Sequence, residues 1–363
     1  MDRATGSGPL TGVRVLEFAG IGPAPFCGML LSDLGAEVVR IDRPGARDVA
    51  PFDVTNRGRR TLRLDLKSPD GVTACLKLIA GADILIEGFR PGVMERLGLG
   101  PEPALAANRR LVFGRMTGWG QTGPFAQAAG HDMNYIALSG ALHAVGTEEK
   151  PIPPLNLVGD FGGGALYLAF GVLAALTHAR TTGEGQVVDV AMTDGSASLM
   201  AMMYGFKAMG MWRDERRSNL LDGGAPFYDT YRCADGGWLA VGALEPQFYA
   251  ALLSGLEIDA ATLPSQMDRD RWGEIRSAIG GAIATRGRDA WMEVFAGTDA
   301  CVAPVLTLAE APHHPQNVAR GTFASPGGVD QPAPAPRFSA TPGTVQAGAA
   351  VEVDALLAEW AAP

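Results

Sequence analysis

The sequence predicts an α/β protein in which a large domain with a doubly wound, Rossmann-like sheet is followed by a smaller α+β domain. Strand-like and helix-like segments alternate through about the first 120 residues, which is typical of a parallel sheet covered by helices. Around residues 221–244 the pattern changes to short strands separated by turns, and residues 246–298 are mostly helical. The 363 residues are enough for two or three domains.

Short apolar runs that end at glycine, proline or charged residues predict the strands of the large domain. These strands are 13–20, 36–44, 61–66, 83–89, 110–116 and 185–192. Apolar residues at helical spacing predict the helices. These helices are 27–34, 71–82, 161–178, 194–212, 288–297 and 351–360. Between them, residues 117–160 are crowded with glycine, proline and polar residues, which favours a surface excursion or a site.

Changes in composition along the chain suggest where its parts begin and end. A stretch with six prolines between Pro312 and Pro336 has the composition of a linker. We expect a large domain over 1–195, a linker helix over 196–222, a small α+β domain over 223–311, a second linker over 312–337, and a C-terminal segment over 338–363 that returns to the large domain.

The composition argues against several classes of protein. Apolar residues make up 47% of the chain and charged residues 19%, which rules out a disordered protein. The net charge of −9 argues against coating of nucleic acid and against electrostatic binding to a membrane. Four cysteines without CxxC spacing, and residues 1–10 without an apolar signal region, predict a cytoplasmic protein. The uncharged stretch 161–177 contains four glycines, so a buried helix is expected there rather than a membrane span.

The first turn of the sheet resembles part of a dinucleotide-binding fingerprint. GIGPAP (20–25) follows a strand and opens a helix, and Asp42 stands at the end of the next strand. In a Rossmann fingerprint, glycines admit the pyrophosphate and an acidic residue holds the ribose. Pro25 occupies the position of the third glycine. We therefore expect a tight strand-to-helix turn rather than a site for NAD or FAD.

Basic residues concentrate near the ends of predicted strands in this acidic chain. They are Arg40, Arg43, Arg57, Arg59, Arg60, Arg63, Lys67, Arg90 and Arg96. Ligands of open α/β sheets bind at the carboxyl ends of strands, where guanidinium groups can hold phosphates by bidentate contacts. The alternative is a solvated surface on which these residues form salt bridges. The sequence leaves both interpretations open.

Two residues in the turn-rich block and just after it are candidates for acid/base chemistry. His131 stands out among the five histidines because it lies in the irregular run GHDMNY (130–135). Asp160 precedes a glycine triplet and an apolar helix, so it is either a helix-capping aspartate or a reactive carboxyl group. If the helix begins there, the N–H groups near Gly162 and Gly163 can stabilise an oxyanion or enolate.

Glu245 is a third candidate for the site. Glu245 follows a strand and precedes Pro246, which fits a helix-start carboxylate as well as a catalytic one.

No pair of histidines has the spacing of a metal site beside a carboxylate. We expect no metal.

Several long motifs together resemble the α-methylacyl-CoA racemases of the family III CoA-transferase superfamily (CaiB/BaiF type). The matching motifs are VVRIDRP (38–44), LDLK (64–67), EGFRPGVMERLGLGP (87–101), MTGWGQTGP (116–124), GHDMNY (130–135), PPLNLVGDFGGG (153–164), GQVVDVAM (185–192), LDGGAPFYDTY (221–231), VGALEPQFY (241–249) and PAPRFS (334–339). The resemblance covers the chain apart from a few terminal residues.

The resemblance implies roles for individual residues. His131 and Asp160 correspond to the two acid/base residues of the family, and Glu245 to a glutamate that hydrogen-bonds the catalytic histidine. The positions implied to contact CoA are Arg43, Arg63, Leu64, Asp65, Leu66, Arg90 and Arg96. Those implied to line the thioester, besides His131, are Gly130, Asp132, Met133, Asn134 and Tyr135.

The resemblance also implies an activity and an assembly. The activity is interconversion of (2R)- and (2S)-2-methylacyl-CoA by 1,1-proton transfer through an enolate, with His131 and Asp160 on opposite faces of the α-carbon. No cofactor is expected, because CoA enters as part of the substrate. The assembly is a homodimer of two interlocked rings, with active sites between the subunits.

The sequence leaves two alternatives to a racemase. In a CoA-transferase of the same superfamily, Asp160 is the nucleophile that attacks the thioester. His131 argues against it, because a transferase needs no second base on the opposite face. A non-catalytic acyl-CoA-binding protein would keep the basic cluster and have no need of His131 opposite Asp160.

Overall fold

The computed structural model describes residues 7–50 and 52–361, so part of the N-terminal segment expected to lack a signal region, residues 1–6, lies outside the described residues. The chain forms two compact units. Unit 1 comprises Met1–Ala141, Pro154–Ala201 and Pro315–Pro363, and unit 2 comprises Leu142–Pro153 and Met202–His314.

The units depart from the expected domains at the linker helix and at one short segment. Residues 202–222, expected within a linker helix over 196–222, belong to unit 2, and the helical part of this stretch ends at Ala208. Residues 142–153 were expected in the large domain but belong to unit 2. The physical reason is a set of hydrogen bonds from Arg216, whose guanidinium donates to the carbonyl oxygens of Thr147 (2.6 Å) and Glu148 (3.2 Å).

Unit 1 is built on a seven-stranded parallel sheet. Its six longer strands are β1 (Arg14–Phe18), β2 (Glu37–Asp42), β3 (Arg60–Arg63), β4 (Ile84–Glu87), β5 (Val112–Thr117) and β6 (Gln186–Ala191). They lie in the order β3-β2-β1-β4-β5-β6, which is the doubly wound order of a Rossmann-like sheet. The central strands β4 and β5 are buried throughout, as expected for a sheet covered on both faces. The predicted fold class is confirmed.

Helices connect these strands and continue after them. They are α1 (Pro23–Asp33), α2 (Pro69–Ala80), α3 (Val93–Arg96), α4 (Pro101–Ala107), α5 (Asp132–Leu138), α6 (Ala141–Ala144), α7 (Leu166–Thr182), α8 (Met192–Leu199) and α9 (Ala201–Ala208). Helix α1 starts earlier than the predicted residue 27, because proline fits the first turn of a helix. The single helix predicted over 194–212 is instead two helices separated at Met200.

The helix predicted over 161–178 starts earlier and begins with a π-helical segment, Leu157–Ala165, that runs directly into α7. By length and composition alone, Leu157–Thr182 could cross a membrane. In unit 1, however, Leu168 and Val172 of α7 are fully buried and pack on the sheet. A Cβ at Gly114 of β5 would lie only 2.9 Å from Val172 Cγ1, so this glycine permits the close approach. Helix α7 therefore contributes to the core of unit 1.

Unit 2 contains a three-stranded antiparallel sheet and helices that cover it. Its strands are β7 (Tyr228–Arg232), β8 (Trp238–Gly242) and β9 (Val302–Pro304), and its helices are α10 (Pro246–Gly255), α11 (Trp272–Ile283) and α12 (Arg288–Phe295). Trp272 and Trp291 are buried in its apolar core. The α+β character predicted for this part of the chain is confirmed.

The C-terminal part of the chain packs on unit 1. Its elements are α13 (Pro315–Arg320), β10 (Phe323–Ala324), β11 (Gln331–Pro332), β12 (Ala349–Ala350) and α14 (Val353–Ala361). The region expected as a bare linker, 312–337, thus contains a short helix and a two-stranded sheet. Arg57 holds it by donating to Gln331 Oε1 (2.7 Å), and β12 pairs in parallel with β3 as the edge strand.

A fully buried ion pair lies beside the first helix. Arg59 Nε donates to Glu17 Oε2 at 2.9 Å, and neither side chain is exposed. The same guanidinium donates to the carbonyl oxygens of Arg57 (2.7 Å) and Pro25. Gly28 of α1 has no Cβ that would collide with this pair. The interaction ties β1, the start of α1 and the entry to β3 together.

We expect Arg59→Ala to lower the free energy of unfolding by about 3–5 kcal/mol, because Glu17 would be left buried without its partner. Urea denaturation measures this change. The exposed pair between Arg109 and Glu184 (2.6 Å) supplies the control, since Arg109→Ala should cost less than about 1 kcal/mol. Equal losses in both variants would contradict the assignment of Arg59 as a buried support.

Candidate active site

A cavity of about 580 Å³ opens at the carboxyl end of the sheet in unit 1. Its walls include the loops that follow β1 and β4, which are adjacent strands at the centre of the sheet. The chain order of the strands reverses at this point, and doubly wound sheets bind their ligands in that crevice. The lining comprises residues 21–24, 88–91, 116–119, 126, 128–131, 135, 160 and 192.

The cavity brings together some of the residues predicted for the site. Those that line it are Arg90, Gly130, His131, Tyr135 and Asp160. Those that do not are Arg43, Arg63, Leu64, Asp65, Leu66, Arg96, Asp132, Met133, Asn134, Gly162, Gly163 and Glu245. Both candidate acid/base residues therefore face one cavity, whereas most of the predicted CoA contacts lie outside it.

His131 is held by the start of helix α5, which the sequence did not predict. It is the residue before the helix, and its backbone N–H donates to Asn134 Oδ1 at 3.0 Å. Its carbonyl oxygen accepts from the N–H groups of Asn134 (2.8 Å) and Tyr135 (3.3 Å). The backbone of His131 is thus fixed on both sides, while the residue is exposed and lines the cavity.

Asp160 lies inside the π-helical segment and does not cap a helix. That segment begins at Leu157, so the expectation of a helix start at Gly162 and Gly163 is wrong. In a π-helix each N–H donates to the carbonyl group five residues earlier, so the N–H groups of these glycines belong to the helix itself. An oxyanion role for them finds no support in this geometry. π-helical turns occur frequently at functional sites.

A hydrogen bond joins the two segments that carry His131 and Asp160. The Asp160 N–H donates to Oδ2 of Asp132 at 2.7 Å, and Asp132 is itself buried. A Cβ at Gly159 would lie 2.6 Å from the same oxygen, so glycine is needed there. Burial raises the pKa of Asp160 above its ordinary value, and the negative charge of Asp132 raises it further. A hydrogen bond from Asn156 and the charge of His131 act in the opposite direction.

Two contacts of Asp160 were missed from the sequence. Asn156 Nδ2 donates to Asp160 Oδ2 at 3.4 Å, and the spacing of four residues was the available signal. Gly22 faces the same carboxylate from the loop after β1, where a Cβ would lie 3.3 Å from Oδ2. Gly22 also has a positive φ of 73°, which glycine adopts without strain. The turn that resembled a dinucleotide fingerprint therefore forms a wall of this cavity.

Aromatic side chains form another wall of the cavity. Tyr135 and Trp119 pack edge to face with ring centroids 4.8 Å apart, and the Tyr135 hydroxyl donates to the carbonyl oxygen of Gly130. Burial raises the pKa of Tyr135, and the neighbouring charge of Asp160 adds to the effect. Tyr135 thus stays neutral and acts as a hydrogen-bond donor that fixes the backbone before His131.

The arginines among these basic residues divide into two groups. Most of the cluster is paired within the chain, through Arg40–Asp42, Arg57–Asp33, Arg59–Glu17, Arg60–Glu37 and Arg63–Asp48. Within the described residues, the guanidinium groups of Arg43, Arg90 and Arg96 form no hydrogen bond or ion pair, and all three residues are exposed. The salt-bridged interpretation therefore holds for the paired arginines, and the three others are available to an anionic ligand.

Leu64, Asp65 and Leu66 lie directly after β3. The two leucines are partly buried against the core, and Asp65 caps the following turn by accepting from the Lys67 N–H at 3.0 Å. These side chains shape the strand end rather than offer charge to a ligand.

Glu245 lies in unit 2, at the residue before helix α10. Its carboxylate is exposed, and it makes no hydrogen bond or ion pair in the part of the chain that the structure describes.

No group of three or more metal-ligating side chains occurs among residues 7–50 and 52–361. The cavity instead offers an imidazole, a carboxyl group whose pKa is raised, and an unpaired guanidinium. Such a set can move protons and hold an anion.

Comparison with known proteins gives the family. Residues 10–350 match the model of CoA-transferase family III. The chain is 49% identical over 335 residues to the α-methylacyl-CoA racemase of Mus musculus, covering 92% of this chain and 87% of that protein. It is 47% identical over 337 residues to the α-methylacyl-CoA racemase of Homo sapiens, with the same coverage of both chains.

Comparison with solved structures agrees with this match. A CaiB/BaiF family protein from Brucella suis superposes with a TM-score of 0.83 and 25% sequence identity, covering 98% of this chain and all of that one. The sequence match, the shared fold and the cavity at the strand ends lead to one conclusion. The chain belongs to CoA-transferase family III.

Proposed function

We propose that this chain is an α-methylacyl-CoA racemase that interconverts (2R)- and (2S)-2-methylacyl-CoA by 1,1-proton transfer. The single observation that carries the mechanism is that His131 and Asp160 line one cavity in unit 1. The named activity of the mouse and human relatives supports the reaction class. No cofactor is required, because the two side chains move the proton and CoA arrives with the substrate.

The reaction needs two groups with complementary protonation states. One removes the α-proton from one face of the carbon, and the other returns a proton to the opposite face. Histidine titrates near neutral pH, whereas an aspartate reaches that range only when its pKa is raised. At Asp160, burial and the Asp132 carboxylate shift the pKa in this direction, above its ordinary value. The roles of the two groups exchange when the reaction runs in the other direction.

The CoA part of the substrate binds, in this proposal, along the strand ends that carry unpaired arginines. Arg90 lines the cavity itself, and Arg43 and Arg96 are exposed and have no carboxylate partner in the part of the chain that the structure describes. Guanidinium groups bind phosphates by paired hydrogen bonds. Four cysteines without disulfides are consistent with the cytoplasmic location that we propose.

We propose a homodimer in which Glu245 reaches His131 of the other subunit. The Glu245 carboxylate is exposed and has no partner among residues 7–50 and 52–361. Unit 1 also exposes Leu166 and Phe170 on α7 and Val187 on the edge strand β6, and Phe170 is 74% exposed. Apolar side chains grouped on adjacent elements favour a protein interface, and a second copy of this chain is the proposed occupant.

A CoA-transferase with Asp160 as nucleophile is the second candidate, favoured by the family model and by the position of the carboxylate in the cavity. It would attack the thioester carbonyl, release CoA thiolate and form an acyl anhydride. His131 facing the same cavity has no task in that chemistry, which is why we rank it second.

We expect His131→Ala and Asp160→Ala each to lower racemisation by at least about 100-fold, because each variant lacks one of the two proton carriers. In deuterium oxide, each variant should still exchange the α-proton of one enantiomer, and the two variants should retain opposite enantiomers. NMR of each acyl-CoA enantiomer measures this exchange. CoA transfer to an added acid, without exchange in the wild type, would establish the transferase instead.

The pH dependence should follow from the raised pKa of Asp160. As the base, Asp160 must be ionised, so kcat/KM for one enantiomer should fall as the pH drops through that pKa. Asp132→Asn keeps an oxygen for the Asp160 N–H and removes the charge, so this acidic limb should move to lower pH. Asp194→Asn, at an exposed position in α8, is the control. An unmoved limb in Asp132→Asn would contradict the charge effect.

Mixed dimers test the shared site. When His131→Ala and Glu245→Ala chains are co-expressed with different tags, the purified mixed dimer should contain one intact site and recover activity. The matched control pairs His131→Ala with Asp160→Ala. Both of these residues lie in unit 1, so every site of that dimer lacks one base. Failure of the first mixture to exceed the control would refute a site shared between subunits.

A further inference from the structure

A buried arginine connects the two ends of the segment that carries Arg90. Arg115 lies on β5 directly beside Glu87 of β4. Its Nε donates to Glu87 Oε1 at 2.8 Å, and its Nη1 and Nη2 donate to the two carboxylate oxygens of Glu95 at 2.7 and 3.3 Å. Arg115 is 6% exposed and Glu87 is fully buried. Glu87 stands before Arg90 in the chain, and Glu95 stands after it.

The segment itself is built around this arrangement. The second oxygen of Glu87 accepts from the Phe89 N–H at 2.7 Å, so both of its oxygens are occupied. At the other end, a Cβ at Gly100 would lie 2.9 Å from Glu95 Cγ, so glycine leaves room for that side chain. The hydrogen bonds from Arg115 lower the pKa of Glu95, which keeps it charged.

Arg115 does not touch the cavity, but the segment that it holds does. Residues 88–91 line the cavity, and Arg115 is not among the lining residues. The Arg90 guanidinium has no partner among the described residues. The carbonyl oxygen of Pro91 accepts from Gln127 at 3.1 Å, which is a further restraint on the same loop.

Energetics argue that this triad serves more than stability. Burial of the charged groups of Arg115 and Glu87 carries a desolvation cost, and well-packed apolar residues often replace such a buried pair without loss of stability. A planar guanidinium that binds two carboxylates gives fixed geometry instead. The geometry that it fixes here is that of the loop between β4 and α4.

We propose that Arg115 is a positioning residue for recognition of the CoA moiety: it holds segment 88–96 so that Arg90 and Arg96 face the substrate's phosphates. The inference rests on the CoA site assigned under the proposed function. Arg115 acts through the segment and does not contact the ligand. Its removal should therefore weaken binding of the phosphorylated part of the substrate and leave proton transfer itself largely intact.

The experiment compares two thioesters of the same 2-methylacyl group, one with CoA and one with pantetheine, which lacks the phosphates. For Arg115→Met, we expect KM for the CoA ester to rise about 10- to 100-fold, the range that follows from small misplacements of a binding group. Its kcat, and both constants for the pantetheine ester, should change little. Arg115→Lys should show a smaller effect in the same direction, because lysine keeps the positive charge but lacks the planar guanidinium that binds two carboxylates.

Further variants separate the possible failures. Arg90→Ala should reproduce the selective loss, and the double variant should add little to it, because the residues act in one unit. Glu95→Gln weakens the same contact from a largely exposed side, so it gives a readout if Arg115→Met does not fold. Arg109→Met, at an exposed pair, is the control and should leave both esters unaffected.

Two results would overturn the proposal in distinguishable ways. If Arg90→Ala is selective but Arg115→Met and Glu95→Gln impair both esters equally, Arg115 only supports the sheet. If Arg90→Ala itself does not distinguish the esters, the assigned CoA site is wrong, and the role of Arg115 falls with it.

Discussion

The hydrogen bond from the Asp160 N–H to the Asp132 carboxylate is the interaction on which the site depends. Asp132 directly follows His131, so this single contact at 2.7 Å joins the start of α5 to the π-helical segment, and these two segments carry the two proposed acid/base residues. Burial raises the pKa of Asp160, and the charge of the same carboxylate adds to this effect. The Asp132 carboxylate thus contributes to both the position and the charge environment of Asp160, and Gly159 leaves space for it.

The topology of the sheet explains why these segments meet at all. The loops after β1 and β4 part at the point where the strand order reverses, and the crevice between them admits a ligand. In a dinucleotide-binding protein the first of these loops approaches a pyrophosphate. Here Gly22 approaches the carboxylate of Asp160 instead. A glycine in this loop therefore leaves room for the carboxylate of a proposed acid/base residue rather than for a pyrophosphate.

The sequence predicts well what depends on local pattern and poorly what depends on distant partners. Apolar strands such as β4 and β5 were predicted because burial on both faces leaves a continuous apolar run. Helix α5 was missed because it has only seven residues and depends on its cap and on tertiary contacts. The early start of the helix before α7 was missed because prolines and glycines surround it. His131 and Asp160 could be identified as candidates from their motifs alone. The contacts of Asn156 and Gly22 with Asp160 became apparent only in the folded chain.

The arginines show the same limit of prediction from sequence, and they also affect what the net charge of the chain implies. Sequence cannot tell a paired arginine from a free one when its carboxylate is far away, as with Arg59 and Glu17 or Arg60 and Glu359. Once such pairs are removed, the unpaired guanidinium groups of Arg43 and Arg90 remain near strand ends. A net charge of −9 repels large polyanions, but dissolved salt screens this repulsion beyond about 10 Å. Within that distance a phosphate interacts with local guanidinium groups, so an acidic protein can still bind a highly charged substrate.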